Sequence, residues 1–379
     1  MRQAGRFRVL AIALLLGCTL AGCASRPASD VLTVTEGASV GTPVSILVAT
    51  TRKRSNEQDD AFTIARSRTV NYEQYTISIP PNHKSGQIEF PQQGRRDPAT
   101  NFVVTEAHEL QPSGFRSEIA RQKGRDVLVF VHGYNTNFQE ALFRQAQLTY
   151  DAKPRGGAVG PISVLFAWPS AGALTGYVAD RESSTYSRDY LEQVLNDIAS
   201  IPDVRSVNIV AHSMGNWLAV ETLRQARLRG KSAFLGKLGD VTLISPDIDV
   251  DVFRTQLDAI GRLKRPITIV LNKNDLALRA SQRLAGDIPR VGNVLIDNPE
   301  AQAAIKKYDL RVVDLSQVKG GDSLNHSTFI QALPALQQIV ESNALAGHGE
   351  EQGAGVFVVD AAGEVLSTPL RIGNALLGR

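Results

Sequence analysis

Cysteine is almost missing from this chain. Two residues in 379 are Cys, at positions 18 and 23, and everything beyond position 23 has none. That excludes a disulfide framework, a cysteine metal site and a cysteine nucleophile from the body of the protein. An excess of one charge is also missing. Three of the 41 basic residues, Arg2, Arg6 and Arg8, fall within residues 1–22, and none of the 38 acidic ones does. The remainder therefore carries equal numbers of each. The basic pI of about 8.8 belongs to the leader and does not argue for a nucleic acid partner. There is no internal repeat and no heptad run. A hydrophobic content of 43% with 21% charged residues suits a globular chain long enough to bury a sizeable core.

What is present begins with a leader. A positive start precedes an almost wholly apolar run, Val9 to Leu20, which is short for a membrane span but suits the core of a secretory signal peptide. The exit, Leu20-Ala21-Gly22-Cys23, resembles the bacterial lipoprotein cleavage box. The resemblance implies a signal peptide over 1–22, acylation of Cys23 and attachment to a membrane through lipid, without a spanning helix. Cys18, after Leu15-Leu16-Gly17, is a second candidate site. An ordinary signal peptide or an uncleaved anchor is the alternative. Ala24 after the Cys, rather than Asp, points to the outer membrane, with the face left open.

Residues 23–42, rich in Ser, Thr and Gly, read as a linker. A main domain over 43–342 follows, then a tail, 343–379, expected to be poorly ordered. Within the domain, Val44–Val48, Tyr75–Ile79 and residues 102–110 read as strands at the edge of a mixed sheet. From Asp126 onward short apolar runs alternate with helical periodicity. The runs are 127–131, 162–167, 207–211, 241–244, 267–271 and 310–313. Helices are predicted near 138–150, 184–200, 214–229, 250–260, 276–285 and 327–341. This alternation predicts a doubly wound α/β, mostly parallel sheet with extra N-terminal edge strands. Its chemistry belongs in the loops at the carboxyl ends of the strands. Val356–Val359 has strand character but no evident partner in the sequence.

Ala211-His212-Ser213-Met214-Gly215 follows one of those runs and opens a helical segment. The pattern Gly-x-Ser-x-Gly in a strand-to-helix turn is a nucleophile elbow. Small residues flank the serine because strand and helix approach closely there. Ala211 in place of the first Gly departs by one methyl. The bland reading of Ser213 is a helix cap. A serine hydroxyl needs a base, and the base needs an orienting acid. The order expected for this turn is Ser, acid, His. Only His326 and His348 follow Ser213, and His348 lies in the Gly-rich tail. His326, after the last predicted strand of the domain, is the candidate base; otherwise it is a surface-loop histidine. Asp275, after the run 267–271, is the preferred acid, with helix capping as its alternative role. Asp249 is the alternative acid. Asp247, Asp249 and Asp251 alternate like a calcium loop, but Val252 and Asp258 stand where Gly and Glu are required, so helix capping is preferred. Two oxyanion donors are expected: the N–H of Met214, and that of Tyr134 in Val131-His132-Gly133-Tyr134, where Gly133 lets the backbone turn toward the serine.

These stretches, with Ala49-Thr50-Thr51-Arg52, Ala167-Trp168-Pro169-Ser170, Ser245-Pro246-Asp247-Ile248-Asp249 and Asn274-Asp275, give the segment from about Pro43 to Val340 its family likeness. It resembles an uncharacterised bacterial family of α/β hydrolases, described as esterase/lipase-like. The resemblance implies the α/β-hydrolase fold and a serine hydrolase, with no particular substrate. Carboxylester hydrolysis is the leading expectation, and no cofactor or metal is called for. Acyl transfer, thioester or peptide hydrolysis by the same triad, or an idle site on a lipid-anchored scaffold, are the alternatives. Only a short span separates Ser245 from Pro266, with no room for a long amphipathic lid. That favours a small ester or acyl substrate over interfacial lipolysis. Segments 170–190 and 286–308 are mostly polar and are expected to form a small rim.

Overall fold

Short β-branched runs and amphipathic helices alternate along the chain, and the computed structural model assembles them into a single ten-stranded sheet. It describes residues 26–27, 29–37, 40–56, 61–91, 95–153, 159–230, 232–319, 322–345, 355–360 and 364–365. Expectations for the leader, for Cys18 and Cys23, and for His348 fall outside the described residues. The strands are β1 (Thr42–Arg54), β2 (Phe62–Ile79), β3 (Val103–Leu110), β4 (Val127–Val131), β5 (Ile162–Ala167), β6 (Val207–His212), β7 (Leu238–Ile244), β8 (Thr268–Leu271), β9 (Arg311–Asp314) and β10 (Gly355–Val358). Their spatial order is β10-β9-β8-β7-β6-β4-β5-β1-β2-β3. β1 and β4 to β10 are parallel, and β2 runs antiparallel to both β1 and β3. This is the expected mostly parallel sheet with antiparallel edge strands.

The strands bury both faces, so helices cover both. On one face α1 (Pro112–Ala120), α4 (Arg188–Ala199), α5 (Met214–Arg229) and α7 (Val250–Ile260) pack on Val127, Val129, Val164 and Ile209. On the other, α2 (Phe138–Asp151) and α10 (Leu333–Leu345) pack on Ile46, Val48, Phe130 and Leu165. Period-2 alternation along each strand is what lets one run feed two cores. The remaining helices are α3 (Tyr177–Tyr186), α6 (Phe234–Lys237), α8 (Leu276–Leu284) and α9 (Pro299–Tyr308). Among the described residues no helix is long and apolar enough to cross a membrane.

Three expectations are corrected. Val356–Val359 has a partner after all: Gly355–Val358 pairs in parallel with β9, register Val356 to Val312. The helix expected over 184–200 is two helices meeting at Ser187. Of the two rim segments, 170–190 reaches the cavity at Ser213 through Leu174 and Tyr177. Residues from 286–308 line a separate cavity of about 810 Å³ against α7, β8 and β9.

The chain reverses its direction of winding at β4, which has β5 on one side and β6 on the other. In a sheet of this kind the crevice for a ligand opens at that reversal, beyond the carboxyl ends of the strands.

Candidate active site

Six neighbouring strands, β4 to β9, end at that crevice, and each hands on a loop with a polar payload. Ser213 follows β6. Its φ of 53° and ψ of −123° lie in a region costly for any residue with a side chain, by roughly 1–3 kcal/mol. Tertiary bonds hold it there. The Ser213 N–H donates to Ile244 O (2.9 Å), and Ser213 O accepts from the Asn216 backbone (3.1 Å). The Asn216 side chain also donates to Ser213 O (2.9 Å) and to Ile244 O (2.7 Å). Gly215 is required by space. A Cβ there would lie 2.4 Å from His132 O and 2.6 Å from Val131 O. Ala211, where the motif has Gly, is fully buried yet fits.

Across from the elbow runs the loop after β4. A Cβ on Gly133 would stand 2.9 Å from the Ser213 Cβ and 3.1 Å from the His212 ring, so the loop lies directly on the serine. The loop is fixed from beneath. His132 is buried, stacks on Trp168 at 4.9 Å, and accepts the Trp168 indole N–H at its carbonyl (2.7 Å). Burial, aided by the Arg52 charge, pushes the His132 imidazole down to about 3. Arg52 is itself buried, lowered to about 10 by desolvation, and donates to Thr136 O (3.1 Å). Asp180 on α3 gathers the loops after β4 and β5. It accepts from Ser170 Oγ (2.5 Å), the Ala171 N–H (2.7 Å) and the Asn135 N–H (3.3 Å). From outside, Arg26 donates to Asn135 Oδ1 (2.7 Å) and O (3.0 Å). The Tyr134 ring packs edge-on to Tyr177.

His326 and Asp275 meet. His326 Nδ1 lies 2.6 Å from Asp275 Oδ2. The other oxygen, Oδ1, accepts the Leu278 N–H (2.9 Å), so Asp275 caps α8 and orients the histidine at once. It is fully buried. The His326 loop is stitched by Asp322, whose carboxylate accepts from the backbones of Leu324, His326 and Ser327. Burial would lower the His326 pKa; the Asp275 hydrogen bond and charge outweigh it, and the imidazole sits above its ordinary value. Beneath it the His212 ring lies 4.6 Å away and is held well below its usual range, first by burial and then by His326. Its Nε2 donates to His326 O (3.3 Å).

Asp249 goes elsewhere. Its side chain caps α7 on the N–H groups of Asp251 and Val252. Asp251 pairs with Arg254 on the surface (3.4 Å). The capping expectation fails for Asp247, which is buried against the cavity. Tyr177 donates to its Oδ2 (2.9 Å), Arg290 Nε lies 3.3 Å from its Oδ1, and Ser281 hydrogen-bonds that same oxygen. The three alternating carboxylates therefore part company.

Ser213, His326, Tyr134 and Asp247 line one cavity of about 520 Å³. Exposed leucines, Leu174, Leu284 and Leu324, stand among its walls. Asn216, Asp180 and Asp322 were invisible as site residues in the sequence, and Asp247 was singled out there only with its alternating neighbours, as a cap. Their only local signals were a polar residue one turn into a helix and acids in loops.

Residues 108–343, more than half of the chain, match the model of a family described as alpha/beta hydrolase of unknown function (DUF900). The chain belongs to this family. No curated protein matches the sequence. Solved structures similar to this α/β hydrolase include a protein from Agrobacterium vitis S4 described as a hydrolase. It is 12% identical over 74% of this chain and 96% of its own, with a TM-score of 0.36. An esterase of Pyrobaculum calidifontis is 15% identical, covering 59% of this chain and 78% of its own, TM-score 0.34. One of two fungal esterases from Rhizomucor miehei is 11% identical, covering 80% and 86%, TM-score 0.34. Likenesses this distant say nothing about substrate.

Proposed function

We propose that this member of the family is a serine hydrolase that cleaves carboxylic esters through an acyl-enzyme. The observation that carries the reading is the His326–Asp275 pair at 2.6 Å on the same cavity as the strained Ser213 elbow. With Asp275 accepting from Nδ1–H, the His326 Nε2 lone pair is free to act. Ser213 Oγ attacks the ester carbonyl carbon and His326 Nε2 takes the hydroxyl proton. The oxygen that gains charge is received by the N–H groups of Met214 and Tyr134. Collapse breaks the carbonyl-to-alkoxy bond, and His326 returns the proton to the leaving alcohol. Water then repeats the sequence on the acyl-serine. Asp275 stabilises the imidazolium formed in each half.

A fluorophosphonate probe is expected to label the wild type and to fail on Ser213→Ala; labelling that persists in the variant overturns the assignment. Matched esters, thioesters and amides separate ester hydrolysis from other acyl transfers. We also propose that Cys23 is acylated and tethers the domain to the outer membrane. The Leu20-Ala21-Gly22-Cys23 box supports this, and a clickable palmitate analogue should be incorporated in the wild type and lost in Cys23→Ser.

A further inference from the structure

Arg144 on α2 lines the cavity that holds Ser213 and His326, as do Phe90, Phe130, His212 and Phe329. Among the described residues its one hydrogen bond runs from Nη1 to Gln147 Oε1 (2.8 Å). No carboxylate forms an ion pair with it there. The acids whose charges reach it, Asp322, Asp151 and Glu140, direct their hydrogen bonds to other groups. Asp322 is taken up by three backbone N–H groups. Asp151 is taken up by His83 (3.0 Å) and the Gly86 N–H (2.7 Å), and Glu140 by the Asn137 N–H (2.9 Å). A guanidinium offers five donors in a fixed fork suited to carboxylate. Here most of them are unused.

From this geometry we infer that Arg144 receives a single negative charge of the substrate, so that the ester cleaved at Ser213 carries a free carboxylate. The inference rests on the serine-hydrolase reading. A monoanion is favoured over a phosphate dianion because one guanidinium matches one negative charge, while Glu140, Asp322 and Asp247 also line this cavity and disfavour any negative charge that is not seated on Arg144. Arg144 is thereby a specificity residue, remote from the bonds that break.

Two ester pairs test it: mono-para-nitrophenyl glutarate against para-nitrophenyl valerate, with the charge on the acyl side, and para-carboxyphenyl acetate against phenyl acetate, with the charge on the leaving group. The wild type should prefer the anionic member of at least one pair in kcat/KM. In Arg144→Gln the anionic-to-neutral ratio should fall by about tenfold or more, the scale of a lost charge-assisted hydrogen bond. Arg144→Lys should recover part of it. A wild type with no anionic preference overturns the proposal whether or not the variants fold. So does an Arg144→Gln variant in which both members of the preferred pair fall equally. If the neutral esters are hydrolysed in a Ser213-dependent way without that preference, the serine-hydrolase reading stands and the role of Arg144 falls. If no ester is turned over through Ser213, both fall.

Discussion

Asp275 serves His326 with one carboxylate oxygen and the first turn of α8 with the other. Asp275→Asn keeps an oxygen for the cap but can turn an NH₂ toward His326, reversing the tautomer. kcat for ester hydrolysis is therefore expected to fall by roughly 10³–10⁴-fold, with a nearly unchanged urea midpoint. Asp249→Ala should do the opposite: a loss of about 1 kcal/mol from an unfilled cap, seen in the urea midpoint, with kcat retained. A kcat collapse in Asp249→Ala would return that residue to the triad. The pH profile follows from the raised His326 pKa. The base must be neutral, so kcat/KM declines as pH falls through a value above the ordinary imidazole pKa of about 6.5. In Asp275→Asn that midpoint should move to lower pH, because the raising influence is gone.

At the scale of elements, the turn between β6 and α5 sets the geometry. Gly215 has carbonyl oxygens where its Cβ would go, so Gly215→Ala must push α5 away from the loop after β4. A loss of roughly 1–3 kcal/mol or more is expected, measured by urea unfolding, with the fluorophosphonate rate falling as well. Ala211→Gly should cost only about 0.5–1 kcal/mol, the price of backbone entropy. This turn was legible in the sequence because its demands are local: a buried run, a serine, small neighbours, then a helix. The same holds for Gly133, whose small size the crossing of two loops requires. Asp180 and Asp322 were not legible, and Asp247 was read only as a cap. Asp322 acts on its own loop, whose path leaves no periodic pattern in the sequence. Asp180 meets N–H groups of two other loops and Asp247 the side chains of Tyr177, Ser281 and Arg290, which nothing within a few residues foretells. The pairing of β10 was hidden for the same reason, since β9 lies more than forty residues earlier and parallel pairing leaves no turn to read. Ser187 escaped notice because its backbone stays close to helical, φ −78° and ψ −4°, and its N–H still donates to Ser183 O and Ser184 O.

For the whole molecule, two imidazoles buried in the neutral form make acid a destabiliser. The His132 pKa is lowered to about 3 and that of His212 lies well below normal. In the unfolded chain both bind protons near pH 6.5. The unfolded state therefore takes up more protons as pH falls below about 6.5, and stability declines toward about 3 on account of His132. His326 has the opposite sign. Its raised folded pKa adds stability that is complete below about 6.5 and is lost as pH rises through the folded value. The urea midpoint should thus drop between pH 6.5 and 4.5; a flat midpoint over that window would contradict the burial of neutral His132 and His212. The doubly wound architecture itself was readable from alternation alone, because each strand must feed two cores.

The chain has only two tryptophans, and both are attached to the turns that would receive the oxyanion. Trp168 stacks on His132, next to Gly133 and Tyr134. Trp217, four residues beyond Ser213, lies under the Arg181 guanidinium at 3.5 Å and donates to Thr185 Oγ1 (3.1 Å). The intrinsic emission of the protein therefore originates around the candidate site and almost nowhere else. The proposed acylation of Ser213 is expected to register in stopped-flow fluorescence without a chromogenic leaving group, and Trp168→Phe and Trp217→Phe would divide the signal between the two turns.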